Sequence, residues 1–240
     1  MFDHVGIRVS DRERSARFYR TVLGAIGLPM DSSETYDEWG EDFAIGDDGP
    51  ATKHLHVAFY VATTELVHVF HAAGLAAGYE DAGRPGPRTE YTPEYYGAFL
   101  LDPDGNSIEA VSLEHEGQAD GQIDHLWLRT RDLQAIKRFY EAIGAFADVR
   151  LAEETEDRVS FKSGVSAFSY VLGDEATENV HIAFTASTNE QVDAFHEAAV
   201  SAGYTDNGGP GERTLYHPGY YGAFVLDPDG HNIEVVNHNR

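Results

Sequence analysis

The sequence predicts an α+β fold arranged as two tandem homologous domains. Three observations support this prediction: a long internal repeat, a recurring order of one strand, one helix and three strands, and a closing hairpin that occurs twice. The hairpin has the sequence YYGAFLLDPDGNSIEAV at 95–111 and YYGAFVLDPDGHNIEVV at 220–236. In both copies an Asp-Pro-Asp-Gly turn separates two apolar runs, which is typical of paired strands.

The repeat sets the predicted domain boundaries. With a shift of 125 residues, HVAF at 56–59 matches HIAF at 181–184, whereas near the start DHVGIRVSD at 3–11 matches DHLWLRTRD at 124–132 with a shift of 121. The difference indicates a four-residue insertion in the second copy, between residues 141 and 180. We expect domains at 1–116 and 122–240, joined by the polar, glycine-containing segment LEHEGQADGQ.

The first half of each domain begins with a strand and a helix. In the first domain we expect a strand from His4 to Val9 and a helix from Ser10, because Ser10 and Glu13 have capping-box spacing. Gly24 is the expected end of this helix, whose buried face should contain Ala16, Tyr19 and Leu23. Strand-like segments then continue to about residue 47.

The second half of each domain repeats this order. We expect a strand from Leu55 to Val61 and a helix from Thr64, with one apolar face formed by Leu66, Val69, Phe70 and Ala73. In the second domain Ser187 and Glu190 have capping-box spacing. The helical histidines His71 and His196 are interpreted as surface residues. Strand, helix and three strands therefore occur about four times along the chain.

Composition excludes several classes of protein. The chain has 240 residues, 42% of them hydrophobic, and no run of 18 apolar residues, so we expect packed cores without a membrane span. The N-terminus does not have the pattern of a signal peptide. Without cysteine there are no disulfides or thiolate metal sites, which fits a cytoplasmic protein. A net charge of −24 predicts neither nucleic-acid nor membrane partners.

One carboxylate lies in a strand that is otherwise apolar. Glu109 could face water, or it could be buried with partners that neutralise it. If the two halves of a domain curl their sheets around a shared cavity, the expected partners are His4 and His56, which open the first strands of those halves. The second copy repeats the set as His125, His181 and Glu234. Two imidazoles and a carboxylate suit Fe(II), Mn(II), Ni(II), Co(II) or Zn(II), although such histidines are also common as hydrogen-bonded core residues.

These motifs resemble those of the vicinal oxygen chelate superfamily. DHVGIRVSD with its following Phe-Tyr helix, HVAF and YYGAFLLDPDGNSIEAV are similar to the segments that mark glyoxalase I, extradiol dioxygenases, fosfomycin-modifying thiol transferases and bleomycin-resistance proteins. The resemblance spans nearly the whole chain twice. It implies paired βαβββ modules that form cupped mixed β-sheets around a metal, with helices on the outside.

The resemblance leaves the origin of each ligand open. It implies ligands from first and last strands, but His4 could join His56 and Glu109 or cross to His181 and Glu234, because superfamily members exchange modules. Glyoxalase I also uses a fourth ligand, a Glu at the end of the first module. The corresponding stretches here, EDFAIGDDGP and SAFSYVLGDE, have no Glu in mid-strand, and three protein ligands resemble dioxygenases or thiol transferases more closely.

Four residues are candidates for binding substrate. Arg8 and Arg129 share strand faces with His4 and His125, and each could contact an anionic substrate or form an ordinary ion pair. Tyr96 and Tyr221 belong to tyrosine clusters before the closing hairpins, where a hydroxyl could orient a substrate or simply pack.

The predicted function is a divalent-metal-dependent lyase, isomerase or dioxygenase that acts on a small molecule through chelating oxygen atoms. The alternative is a metal-free protein that sequesters a drug, as bleomycin-resistance proteins do. The fused repeat also suggests either a monomer that acts as a pseudo-dimer or a homodimer.

Overall fold

The structure is a computed structural model that describes residues 2–113 and 118–240. The predicted end of the first domain, residue 116, lies outside the described residues, as does the middle of the proposed linker. The predicted domain boundaries therefore stay a prediction.

The first half of the chain contains two repeats of the strand, helix and three-strand order. Its helices are α1 (Arg12–Ala25) and α2 (Thr64–Ala76). Its strands are β1 (Phe2–Arg8), β2 (Met30–Ser32), β3 (Tyr36–Trp39), β4 (Phe43–Gly46), β5 (His56–Tyr60), β6 (Asp81–Pro87), β7 (Tyr96–Leu101) and β8 (Ser107–Ser112).

The second half contains two further repeats in the same order. Its helices are α3 (Leu133–Ala147) and α4 (Asn189–Ser201). Its strands are β9 (Ile123–Thr130), β10 (Arg150–Glu154), β11 (Arg158–Ser163), β12 (Ser166–Leu172), β13 (Val180–Thr185), β14 (Thr205–Glu212), β15 (Tyr221–Leu226) and β16 (Asn232–Asn237). The inserted residues lie in this half, where β10, β11 and β12 are longer than β2, β3 and β4.

The strands form two mixed eight-stranded sheets, which confirms the predicted α+β class. One sheet has the order β14-β15-β16-β13-β1-β4-β3-β2, and the other has the order β10-β11-β12-β9-β5-β8-β7-β6. In the second sheet β5 is parallel to β8 and antiparallel to β9. The first strand of the first half, β1, therefore lies beside β13 of the second half. The first strand of the second half, β9, lies beside β5 of the first half.

The chain forms two compact units, which differ from a simple division at the linker. One unit is Gly6–Trp127, and the other is Met1–Val5 together with Leu128–Arg240. His4 consequently belongs to the unit made mostly of the second half, and His125 belongs to the unit made mostly of the first half.

Both predicted capping residues are displaced by one position. The side chain of Asp11, not that of Ser10, accepts a hydrogen bond from the Arg14 amide at 2.9 Å, and Thr188, not Ser187, does so for Gln191 at 3.2 Å. Each capping residue has an extended backbone directly before the first helical turn, where its side-chain oxygen reaches the unpaired amides. The predicted buried face of α1 is confirmed, because Ala16, Tyr19 and Leu23 are buried.

The predicted face of α2 is confirmed at Phe70 and wrong at Val69. The buried residues are Val67, Phe70, His71 and Gly74, whereas Leu66 and Ala73 are half-buried and Val69 is 45% exposed. His71 is thus a buried residue, not a surface one, and its Nε2 lies 2.9 Å from Asp81 Oδ1 at the start of β6. His196 on α4 makes the same contact with Asp206. A carboxylate ten residues away allows the polar ring to be buried.

In the part of the chain that the structure describes, no helix has the length and apolar character needed to cross a bilayer. The longest helix has 15 residues, and a span needs about 20.

Candidate metal centres

Strand register brings one imidazole pair and one carboxylate together on a single face of the sheet. Ala58 in β5 lies opposite Glu109 in β8 and opposite His125 in β9. His56 precedes Ala58 by two residues, so its side chain points to the same face. We call the cluster of His56, Glu109 and His125 the His56 site.

The three ligand atoms of the His56 site lie close together. His56 Nε2 is 3.3 Å from His125 Nε2 and 3.0 Å from Glu109 Oε2, and His125 Nε2 is 3.7 Å from the same oxygen. Glu109 is completely buried, and the two imidazoles are largely covered.

A second cluster repeats this arrangement in the other unit. Ala183 in β13 lies opposite Glu234 in β16, His181 precedes Ala183 by two residues, and β1 with His4 is the neighbouring strand of β13. His4 Nε2 is 3.0 Å from His181 Nε2 and 3.6 Å from Glu234 Oε2, and His181 Nε2 is 3.2 Å from that oxygen. We call the cluster of His4, His181 and Glu234 the His4 site.

The structure thus brings together all six predicted ligands, but in crossed sets. His4 does not join His56 and Glu109, and His125 does not join His181 and Glu234; each lies in the other group. This is the exchange that the sequence leaves open. Among the described residues each group contains three candidate ligands, and within a group one potential ligand atom from each residue lies within 4.8 Å of the others.

The other ring nitrogen of each histidine has a partner outside the cluster. His125 Nδ1 lies 2.7 Å from Asp124 and His4 Nδ1 lies 2.8 Å from Asp3. His56 Nδ1 lies 3.0 Å from the Ser107 hydroxyl, and His181 Nδ1 lies 2.8 Å from the Asn232 side-chain nitrogen and 3.2 Å from the Asn232 carbonyl oxygen. Because Asp124 and Asp3 accept the Nδ1 protons of His125 and His4, the Nε2 atoms of these two rings direct lone pairs into their clusters.

A tyrosine and a glycine hold each carboxylate in place. The Tyr95 hydroxyl donates to Glu109 Oε1 at 2.7 Å, and the Tyr220 hydroxyl donates to Glu234 Oε1 at the same distance. The carboxylate oxygens Oε1 lie close to Gly97 and Gly222, and a Cβ at either position would lie 2.5 Å or less from Oε1. The Tyr-Tyr-Gly motif therefore supplies both a donor and the space for the carboxylate.

The protonation equilibria of the His56 site reflect burial and the neighbouring acids. Burial lowers the pKa of His56 despite its contact with Glu109. Burial also opposes protonation of His125, but the hydrogen bond to Asp124 and the charge of Glu109 raise its pKa overall. Burial and the adjacent Glu109 raise the pKa of Tyr95 far above its usual value, so this phenol stays protonated and acts as a donor.

The donor set and its spacing fit a divalent transition metal. Ligands about 2.1 Å from an ion lie about 3.0–3.4 Å apart at octahedral or tetrahedral angles, close to the separations in both sites. Glu109 Oε2 is buried and accepts no hydrogen bond from the described residues, although it faces two imidazole nitrogens. A cation held by the same three groups would balance the desolvation of this oxygen.

Comparison with known protein families gives an independent match to both halves of the chain. The model of the Glyoxalase/Bleomycin resistance protein/Dioxygenase superfamily matches residues 1–110 and 122–235. The chain belongs to this superfamily. No curated protein matches the chain.

Solved structures share the superfamily fold with this chain. Glyoxalase I from Zea mays is 19% identical with a TM-score of 0.65, and the alignment covers 99% of this chain and 92% of that one. A putative dioxygenase from Bacillus subtilis is 12% identical with a TM-score of 0.71, covering 100% of this chain and 85% of that one. At these identities the likeness concerns the fold alone.

The contacts given for the predicted substrate residues do not include any of the six candidate ligands. The hydroxyls of Tyr96 and Tyr221 contact His68 on α2 and Asp193 on α4, on the helical side of their strands. Arg8 pairs with Asp48 at 3.1 Å, and the Arg129 amide donates to Thr177. Their roles in substrate binding stay predictions. Tyr95 and Tyr220 each precede a predicted substrate residue by one position, and their hydroxyls contact the candidate ligands Glu109 and Glu234.

Aromatic rings lie beside both clusters. Phe99 is 5.8 Å from the His56 ring and Phe224 is 6.2 Å from the His181 ring, measured between centroids. The guanidinium groups of Arg88 and Arg213 lie over these two phenylalanines at 5.4 and 5.5 Å.

An open depression of about 600 Å³ lies beside the start of α1, and none of the six candidate ligands lines it.

Proposed function

We propose that each cluster binds one divalent metal ion and that the chain is a metal-dependent enzyme of the glyoxalase and dioxygenase type. Its substrate would be a small molecule that offers two neighbouring oxygen atoms. The observation that carries this proposal is the buried Oε2 of Glu109, which has no hydrogen bond among the described residues and faces two imidazole nitrogens. Two histidines and one carboxylate leave open positions for substrate oxygens.

The bound ion would supply Lewis acidity to a chelated substrate. The protein's own residues would set the geometry of the site. Glu109 is held by the Tyr95 hydroxyl, His125 by Asp124 and His56 by Ser107, so the ligands are oriented before substrate arrives. The Phe99 ring lies beside the His56 ring, with centroids 5.8 Å apart.

Proton transfer would involve groups other than the ligand-holding tyrosines. The pKa of Tyr95 and that of Tyr220 are both raised, mainly by burial and then by the adjacent glutamates. A phenol held in this way donates a hydrogen bond at neutral pH and does not act as a base. The neutral form of His56 is favoured because burial lowers its pKa, which keeps its Nε2 lone pair available.

The metal-free sequestering function fits the clusters less well. Without an ion, three electron-pair donors would face each other within 3.0–3.7 Å in the His56 site. A proton shared between two of them would satisfy only part of this cluster. We therefore place metal-dependent catalysis first.

The location and assembly of the chain are also proposals. We expect a cytoplasmic protein because the chain has no cysteine, and we expect no nucleic-acid or membrane partners because its net charge is −24. We expect either a monomer with two sites or a homodimer, and light scattering of the purified chain distinguishes these states.

Chelator-stripped protein, reloaded separately with Fe(II), Mn(II), Ni(II), Co(II) or Zn(II), would be tested against catechols and against hemithioacetals of 2-oxoaldehydes. We expect metal-dependent turnover of one of these classes, lost in a Glu109→Gln, Glu234→Gln double variant. A Glu65→Gln, Glu190→Gln double variant is the matched control, because these two glutamates are exposed in the first turns of α2 and α4. If the reloaded wild type takes up no ion and converts neither class, the proposal is wrong.

A further inference from the structure

We propose that His238 is a positioning residue of the His4 site and that it supports two of the three ligands at once. This inference rests on the proposed metal-binding function. It assigns a role to a histidine near the end of the chain, outside the ligand set and outside the tyrosine clusters. All the contacts involved lie within the unit formed by Met1–Val5 and Leu128–Arg240.

The first support runs through Asp3. One oxygen of Asp3 lies 2.8 Å from His4 Nδ1, and its other oxygen lies 2.9 Å from His238 Nε2. The Thr185 hydroxyl also donates to this second oxygen, at 3.2 Å. Asp3 therefore orients the ligand His4, and His238 helps to fix the carboxylate that does so.

The second support runs through Tyr220. The His238 ring packs edge to face with Tyr220, with centroids 5.2 Å apart and an interplanar angle of 88°. Tyr220 donates its hydroxyl proton to Glu234, the carboxylate ligand of the same site. A shift of the His238 ring would thus disturb both the histidine arm and the carboxylate arm of the cluster.

The orientation of His238 is itself fixed by another histidine. His217 Nε2 lies 2.8 Å from His238 Nδ1, and the two rings are stacked with an interplanar angle of 17°. When His238 donates its Nε2 proton to Asp3, its Nδ1 is free to accept from His217. His217 lies next to Tyr220 as well, with ring centroids 5.4 Å apart.

The first half of the chain offers natural replacements for both histidines. With the shift of 125 residues, His238 corresponds to Leu113 and His217 corresponds to Thr92. Leu113 packs against Tyr95, the counterpart of Tyr220, in an apolar cluster with Ala58 and Val111. Leucine is therefore a side chain that this type of environment accepts, which makes His238→Leu a suitable test.

The experiment measures Co(II) affinity by calorimetry and by the visible spectrum of bound Co(II), with one site present at a time. In a Glu109→Gln background, which leaves the His4 site, His238→Leu should weaken Co(II) binding about 10-fold or more and change the Co(II) spectrum. In a Glu234→Gln background, which leaves the His56 site, the same substitution should change neither quantity. His238→Gln keeps an N–H donor that reaches Asp3 and should restore most of the affinity.

Affinity within twofold of the Glu109→Gln background after His238→Leu would overturn the inference, as would equal weakening at both sites. If His238→Leu does not fold, His217→Thr provides the test, and we expect about threefold weaker Co(II) binding at the His4 site alone. An unchanged affinity in that variant would also overturn the inference. These failures differ from failure of the proposed function, in which the wild type itself would bind no Co(II).

Discussion

The two candidate metal centres have the same types of candidate ligand and differ in some of the residues behind them. Each has two histidines, one buried glutamate and one tyrosine that donates to it at 2.7 Å. Outside this set, Ser107 and Leu113 in the His56 site correspond to Asn232 and His238 in the His4 site. The repeat has thus kept the groups that would contact an ion and the aspartates and tyrosines that hold some of them, whereas other groups behind the clusters have changed.

This difference indicates which pairs of corresponding substitutions should have equal effects on the two sites. Corresponding residues that contact the carboxylate of each site, such as Tyr95 and Tyr220, should have matched effects. Corresponding residues that differ, such as Ser107 and Asn232, should have unequal effects. The following experiments test that division, beginning with the largest expected effect.

Gly97→Ala and Gly222→Ala should each disrupt one metal centre. The added methyl group would overlap the carboxylate oxygen that Tyr95 or Tyr220 holds, so the ligand must move. We expect loss of one ion per chain in each variant and destabilisation of about 1–3 kcal/mol, measured by elemental analysis and urea unfolding. Gly24→Ala is the matched control, because no neighbouring atom lies within 4 Å of its Cβ position. Full occupancy in both variants would show that the glycines are not needed by the carboxylates.

Tyr95→Phe and Tyr220→Phe should weaken the two sites to a similar extent. Each removes one hydrogen bond to a buried carboxylate, for which we expect a cost of about 1.5–3 kcal/mol in the free energy of unfolding. We also expect about 10-fold weaker binding of the ion at the affected site, measured by calorimetry. Tyr96→Phe and Tyr221→Phe are the controls, since their hydroxyls contact His68 and Asp193 instead. Equal losses in the controls would contradict this assignment.

Arg12→Leu should have a smaller effect, which depends on pH. Arg12 Nε lies 2.8 Å from Asp37, and Leu133 is its counterpart under the shift of 121 residues. Burial alone would raise the pKa of Asp37, but hydrogen bonds from Arg12 and Ser32 and the charge of Arg12 lower it overall. The folded pKa is below the unfolded value of about 3.9, so this stabilisation is complete at neutral pH and is lost as pH falls through the folded pKa.

We therefore expect Arg12→Leu to cost about 1–2 kcal/mol at pH 7, between the values typical of exposed and buried ion pairs. The difference from wild type should shrink below about pH 4. Urea unfolding across this pH range provides the measurement. Arg17→Leu is the control, because its pair with Glu13 is exposed. A difference that stays constant with pH would show that Asp37 does not carry the effect.

Much of the fold and all six candidate ligands could be predicted from the sequence. The repeat and the recurring strand and helix order indicated the α+β class, and Glu109 in an apolar strand indicated a need for partners. The pairing of ligands could not be predicted in the same way. Whether β1 lies beside β5 of its own half or beside β13 of the other half depends on the arrangement of whole repeats, which no local pattern encodes.

The smaller errors also have physical causes. His71 can be buried because its ring is hydrogen-bonded to Asp81, ten residues later. The helical pattern does not indicate this partner, because Asp81 lies beyond the end of the helix. Tyr95 and Tyr96 are adjacent and chemically identical, yet strand alternation sends only the first to the carboxylate. No sequence motif marks His238. The corresponding residue in the first half is Leu113, which indicates that the residues behind the two clusters differ.

The crossed pairing of ligands is tested most directly by counting metal ions in two double variants. The wild type should bind two ions per chain, one in each cluster. His4→Ala with Glu234→Gln removes two ligands of one cluster and should leave one ion, whereas His4→Ala with Glu109→Gln damages both clusters and should leave none. One ion retained by the second variant, with none retained by the first, would contradict the account.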